Sequence, residues 1–235
     1  MLCRIADLIV DVPETGGLAP RLEPYKCETE QNPDVVIRES DYRSAAFQGL
    51  SYPDYCYMES GGRFYVELLY HSGMMLHASA IAYRGRAYLF SGDSGVGKTT
   101  HARLWLSVFG EEAEIINDDK PALRYLDGKW YAYGTPWCGK DGINRNRRLP
   151  LAGICFLEQG EENRICELSK QEAFARVVVQ TIHKFKKEDK ARLMFAHVNR
   201  LLADIPMFCL VNRPEAEAAV LNYTTMLQAA EKRGL

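Results

Sequence analysis

One short run near the middle of the chain carries its most specific chemistry. Gly92-Asp93-Ser94-Gly95-Val96-Gly97-Lys98-Thr99 matches the pattern G-x-x-x-x-G-K-[ST] in full, and Thr100 follows it. Glycines at that spacing let the backbone curl so that successive N–H groups converge on an anion. A lysine there reaches the β- and γ-phosphates of a nucleotide, and the hydroxyl after it ligates Mg²⁺. A helix beginning at Lys98 aims the positive end of its dipole at the same anion. The expected ligands are therefore ATP and Mg²⁺. The nucleotide-binding set is Gly92, Asp93, Ser94, Gly95, Val96, Gly97, Lys98, Thr99 and Thr100, with Thr99 also in the metal shell. The chain has no N-K-x-D guanine reader, which argues against a GTPase.

A phosphate loop needs a carboxylate near its metal, at the end of a neighbouring strand. Glu114-Ile115-Ile116-Asn117-Asp118-Asp119 supplies two. Asp118 is the expected metal ligand. Asp119 is the expected general base, or the group that positions an attacking hydroxyl. The strand before them is expected beside the strand that feeds the loop. Asn-Asp-Asp is also good turn chemistry, so a plain turn is the competing reading.

On the acceptor side, Gly134-Thr135-Pro136-Trp137-Cys138-Gly139-Lys140 reads either as a mobile flap with Lys140 near phosphate or as a surface loop with Trp137 packed down. Asn144-Arg145-Asn146-Arg147-Arg148 offers Arg145 and Arg147 as contacts to a transferring phosphoryl group. A solvated charged face is the alternative there.

In order along the chain, Leu76-His77-Ala78, the glycine motif and Asn117-Asp118-Asp119 resemble the catalytic core of HPr kinase/phosphorylase. That family comprises bacterial P-loop protein-serine kinases akin to ATP-type phosphoenolpyruvate carboxykinase. The resemblance implies an α/β P-loop kinase domain of HPr-kinase/PEP-carboxykinase type with a mixed β-sheet. It also implies a catalytic set of Asp119, His77 and Lys98, in which His77 assists Asp119. The family's E-I-R-G-x-G-I segment, which supplies a metal-site glutamate, is absent, and residues 134–140 stand in that region. An acceptor other than HPr itself follows: a hydroxyl on a protein, peptide or small molecule. A non-catalytic ATP-binding or sensing module and a partner-stimulated ATPase remain as rival readings.

The elements that must position these residues can be read from apolar periodicity and turn residues. Residues 3–12 read as a strand, 13–34 as loop and 35–38 as a short strand. Residues 55–59 and 63–70 flank Gly61-Gly62 and read as a hairpin. Strands are expected at 77–83 and 86–90 around Gly85, and at 114–116, 130–133, 154–157 and 207–211. Helices are expected at 101–109, with Leu104 and Val108 on one face, and at 170–183, 189–203 and 214–233. Residues 184–192 read as exposed. The whole, 1–235, reads as a single compact unit, with a β-rich portion at 1–75 and a nucleotide-binding core with C-terminal helices at 76–235.

Composition limits the setting. The chain has 235 residues, 47% of them hydrophobic, and a formal net charge of -2. Such a balance argues against nucleic acid or acidic membrane as a general partner. Seven cysteines, an odd number without a C-x-x-C pair, point to reduced thiols and a cytoplasmic protein. No leader or spanning segment is expected, and the family resemblance makes a homo-oligomer compatible.

Overall fold

The computed structural model describes residues 1–42, 49–182 and 188–235. In chain order the elements are β1 (Leu2–Ile5), β2 (Leu8–Asp11), α1 (Ala19–Leu22), β3 (Val35–Val36), α2 (Tyr52–Leu68), β4 (Gly73–Met75), β5 (Ala78–Tyr83) and β6 (Arg86–Ser91). They continue with α3 (Lys98–Phe109), β7 (Ala113–Asn117), β8 (Ala122–Leu126), β9 (Lys129–Tyr133), β10 (Arg148–Gln159), β11 (Arg164–Glu167), α4 (Lys170–Val179), α5 (Glu188–Asp204), β12 (Met207–Asn212) and α6 (Ala216–Lys232). The architecture is mixed α/β. No described helix is long and apolar enough to cross a membrane.

A nine-stranded sheet runs β4-β8-β9-β10-β6-β5-β7, with β12 also on β10 and β11 on β12. β10 joins its two halves: Arg148, Leu149 and Pro150 pair antiparallel with β9, while Leu151 to Phe156 run parallel to β6 and the last six residues parallel to β12. Alternation along the central strands sorts side chains into two cores, as the period of two requires. Ala80, Ala82, Leu89, Ile154 and Phe156 face α4 and α5. Ile81, Tyr83, Tyr88, Phe90 and Leu157 face α3 and α6. Burial on both faces is why these strands read as continuous apolar runs.

Several expectations need correction. Residues 3–12 are two strands, not one, because Ala6 and Asp7 turn the chain with φ of 51° and 59°. Residues 55–70 are not a hairpin: they lie in α2 and the 3₁₀ turn after it. Gly61 sits mid-helix because Trp137 presses on it; a Cβ there would stand 2.8 Å from the indole. The glycine pair thus records a close approach rather than a turn. Within 1–75, β1-β2-β3 form a small three-stranded sheet packed with a 17-residue helix, while β4 joins the larger sheet. The core of the small sheet continues into Ala122 and Tyr133 of the larger sheet and into Trp137, in the segment after β9. On α3 the buried face is His101, Ala102 and Trp105, while Leu104 and Val108 are half-buried. α4 ends at Val179, and position 183 of its expected span, like 184–187 of the expected exposed stretch, lies outside the described residues.

Candidate active site

β6 delivers the chain at Ser91 to the glycine loop, and α3 leaves it at Lys98. Gly92, Gly95 and Gly97 take φ of 140°, 82° and 109°, conformations that L side chains resist. Gly97 caps α3 in place of a side-chain cap, so the first turn of the helix keeps N–H groups facing the loop. Lys98 is buried, and its Nζ donates to the carbonyls of Gly92 (2.8 Å) and Asp93 (3.0 Å). Burial lowers its pKa, against the raising influence of Asp119 and Asp93.

The aspartates arrive by a route the sequence did not suggest. β7 does not lie beside β6: β5 sits between them and pairs antiparallel with both. That arrangement fixes a neighbour instead. His77 directly precedes β5 and Asp119 follows β7, so the antiparallel register brings them together, with Ala78 N donating to Asp119 O at 3.0 Å. His77 Nε2 stands 3.0 Å from Asp119 Oδ1, and Lys120 Nζ pairs with the other carboxylate oxygen. Burial would raise the Asp119 pKa, but the His77 hydrogen bond and the Lys120 charge outweigh it and hold the carboxyl well below its usual range. Asp118 goes the other way: burial raises its pKa against a hydrogen bond from Gly139 N to Oδ1 at 2.5 Å.

Asn117, fully buried, is the pivot of this corner. Its Oδ1 accepts from the N–H groups of Asp119 (2.9 Å) and Lys120 (2.6 Å). Its Nδ2 donates to the carbonyls of Thr135 (3.0 Å) and Trp137 (3.3 Å). Asn-Asp-Asp is therefore an Asx turn, as the turn reading has it, and that turn sets where the two carboxylates stand.

Residues 134–138 are buried and do not form a mobile flap. Trp137 stacks on Phe64 (4.8 Å, 20°) and donates to Ser60 Oγ at 3.1 Å. Arg21 Nη1 and Tyr57 Oη both donate to Cys138 O, at 2.9 and 2.5 Å. Only Gly139 and Lys140 emerge, and a Cβ on Gly139 would press 2.8 Å from the Asp118 carboxylate.

These pieces enclose a cavity of about 530 Å³. The structure brings together there His77, Ser94, Gly95, Gly97, Lys98, Thr99, Thr100, Asp118, Asp119 and Lys140. It does not bring Arg145 and Arg147 into that lining. Both pair with Glu114, at 3.2 and 2.8 Å, as the solvated-face reading has it. Gly92, Asp93 and Val96 line a second cavity of about 620 Å³ on the other flank of the loop, with Phe156, Glu158, Arg176 and Val179. Sequence reasoning missed Lys120, Gln180 and Asp141. Asp141 lines the first cavity and pairs with Arg103 at 2.7 Å. Its position two residues past Gly139 was the available signal. Gln180 offered only a polar residue where the apolar period of α4 stops.

The donor set suits Mg²⁺: a threonine hydroxyl and carboxylate oxygens, the hard ligands that ion takes. Among the described residues no group of three or more His, Cys, Asp or Glu side chains forms a metal cluster of its own, so Mg²⁺ would share its shell with other ligands.

No curated protein matches the chain. Among solved structures, the Hpr(Ser) kinase/phosphatase from Coxiella burnetii is similar at 10% identity and a TM-score of 0.37, over 68% of this chain and 93% of that one. Residues 59–213, well over half of the chain, match the family described as SynChlorMet cassette protein ScmC, and the chain belongs to that family.

Proposed function

We propose that the chain is an ATP- and Mg²⁺-dependent phosphotransferase acting on a hydroxyl of a protein, peptide or small molecule other than HPr. One observation carries this reading: a single cavity is lined by the glycine loop, Lys98, Thr99, the aspartate pair and His77. In the proposed complex, phosphate oxygens replace the two loop carbonyls that now satisfy Lys98. The Thr99 hydroxyl and Asp118 would hold Mg²⁺, whose charge would offset that of the phosphates. Burial raises the Asp118 pKa, and a cation beside the carboxylate would offset that cost. The second cavity, open along Val96 and Val179, offers the nucleoside a site on the loop's other flank.

Asp119 orients the acceptor hydroxyl more than it strips it. Its lowered pKa makes it a weak base, and a loose phosphoryl-transfer transition state asks mainly for alignment. Lys140 stands exposed at the mouth, where a phosphate or an acidic acceptor would meet it.

Labelled ATP with Mg²⁺, offered with serine peptides and small alcohols, tests the reading. The expected result is transfer by the wild type and a loss on the order of 10²-fold in Asp119→Asn. Undiminished transfer in the variant would remove Asp119 from the mechanism. The ion pair with Lys120 favours a second reading, nucleotide binding without transfer, because it occupies the carboxylate's other oxygen. Calorimetric binding with no product on any acceptor would mark that case.

A further inference from the structure

Gln180 follows the last residue of α4 and is almost fully buried between the glycine loop and His77. Its main-chain carbonyl accepts from His77 N at 2.7 Å. Its side chain reaches both ways: Oε1 lies 3.0 Å from His77 Nδ1, and Nε2 donates to Asp93 Oδ1 at 3.2 Å. The carboxylate of Asp93 settles the amide's orientation, because a carboxylate accepts only. The amide nitrogen must face Asp93, the amide oxygen must face the ring, and Nδ1 must be the donor to it. On the other side of the ring, Nε2 stands 3.0 Å from Asp119 Oδ1. Ser91 Oγ, at the end of β6, also donates to the His77 carbonyl at 2.8 Å.

We propose that Gln180 is a positioning residue that ties the glycine loop to Asp119 through His77. The proposal rests on the phosphotransfer reading of this site. The chain of contacts runs Asp93, Gln180, His77, Asp119, from a loop residue whose carbonyl holds Lys98 to the carboxylate that orients the acceptor. A change in the loop is thereby felt at the far wall of the cavity. The link has a handed chemistry, since it needs a donor facing position 93 and an acceptor facing the ring.

That handedness supplies the test. Gln180→Leu keeps the volume and removes both bonds. Gln180→Glu sets two carboxylates face to face, and adding Asp93→Asn restores a donor opposite an acceptor. The expected result is a fall in kcat on the order of 10- to 100-fold for Q180L and Q180E, with nucleotide KM within about 3-fold of wild type. Most of the loss should return in Q180E/D93N. A second readout needs no turnover: the hydrogen-bonded ring N–H protons of His77, assigned by their absence in His77→Gln, are followed by NMR. The Nδ1 proton should vanish in Q180L and reappear in Q180E/D93N. A proton signal unchanged in Q180L overturns the proposal, as does a double variant no better than Q180E in either readout. If the wild type transfers no phosphate, the functional reading fails by itself, and the ring protons still decide whether this link exists.

Discussion

The glycine loop and the segment 134–141 face each other across one cavity, yet they are made in different ways. The loop is a run of consecutive residues between β6 and α3, shaped by glycine backbone angles and closed on itself by Lys98. The facing segment is shaped largely from outside itself. Asn117 holds Thr135 and Trp137 from the end of β7, and further bonds join the segment to Arg21, Tyr57 and Ser60, partners 77 to 117 positions away in sequence. One wall is therefore a property of its own residues. The other is a property of the packing between the N-terminal portion and the sheet, so changes far from the cavity should disable it.

The largest expected effect breaks the comparison most directly. Trp137→Ala removes a fully buried indole, its stack on Phe64 and its bond to Ser60. A cost of about 3–5 kcal/mol in denaturant unfolding is expected for such a truncation. The bond from Gly139 to Asp118 should loosen with it. A cost typical of a surface residue would mean that the facing wall does not depend on this packing.

The loop side carries its own sensitivity, through α3 rather than through the facing segment. His101 is buried against the edge of Phe90 and accepts from Trp105 Nε1 at 3.3 Å; burial lowers its pKa from 6.5 to about 4. Between those two values the unfolded chain binds a proton that the folded chain refuses. Stability therefore falls as pH falls through that window, by about 3 kcal/mol in all. His101→Gln keeps an acceptor for Trp105 and should remove this part of the pH dependence. Unfolding curves at pH 7 and pH 4.5 for both proteins check it. An equal slope in the variant would place the titrating group elsewhere.

Arg21→Met tests the far wall more gently. The guanidinium donates to Cys138 O and lies 4.8 Å over the Tyr57 ring. A charged hydrogen bond and a cation–π contact of this kind should together account for about 1–2 kcal/mol. With nucleotide affinity unchanged, as calorimetry would read it, the loss belongs to the facing wall alone.

The same contrast explains what could be read in the sequence. The β6–loop–α3 unit, the β5–β6 hairpin and the aspartates after β7 were legible because each is local: a motif, a turn at Gly85, a strand ended by turn residues. The C-terminal helices were legible by period. Residues 52–68 were not, since Gly61-Gly62 has the look of a turn until Trp137, 76 positions on, explains the missing Cβ. The place of β5 between β6 and β7 was hidden for the same reason, because sheet order depends on long-range pairing that no window of sequence contains. Gln180 belongs with these: its meaning lies in two partners, Asp93 and His77, which are 87 and 103 positions from it in the chain.

The smallest effect sharpens the boundary of the site. Arg145 and Arg147 were candidate phosphate contacts with a solvated face as the alternative, and both pair with Glu114 of β7, each more than half exposed. Exposed pairs of this kind contribute up to about 1 kcal/mol and are screened by salt. Arg145→Ala and Arg147→Ala should each lower stability by no more than that. They should leave nucleotide KM and phosphate transfer at wild-type levels, while Lys140→Ala raises the KM of an acidic acceptor. If Arg147→Ala instead removed transfer, the acceptor would have to reach across Gly139 to the face of β7. The cavity would then be wider in use than its lining residues describe.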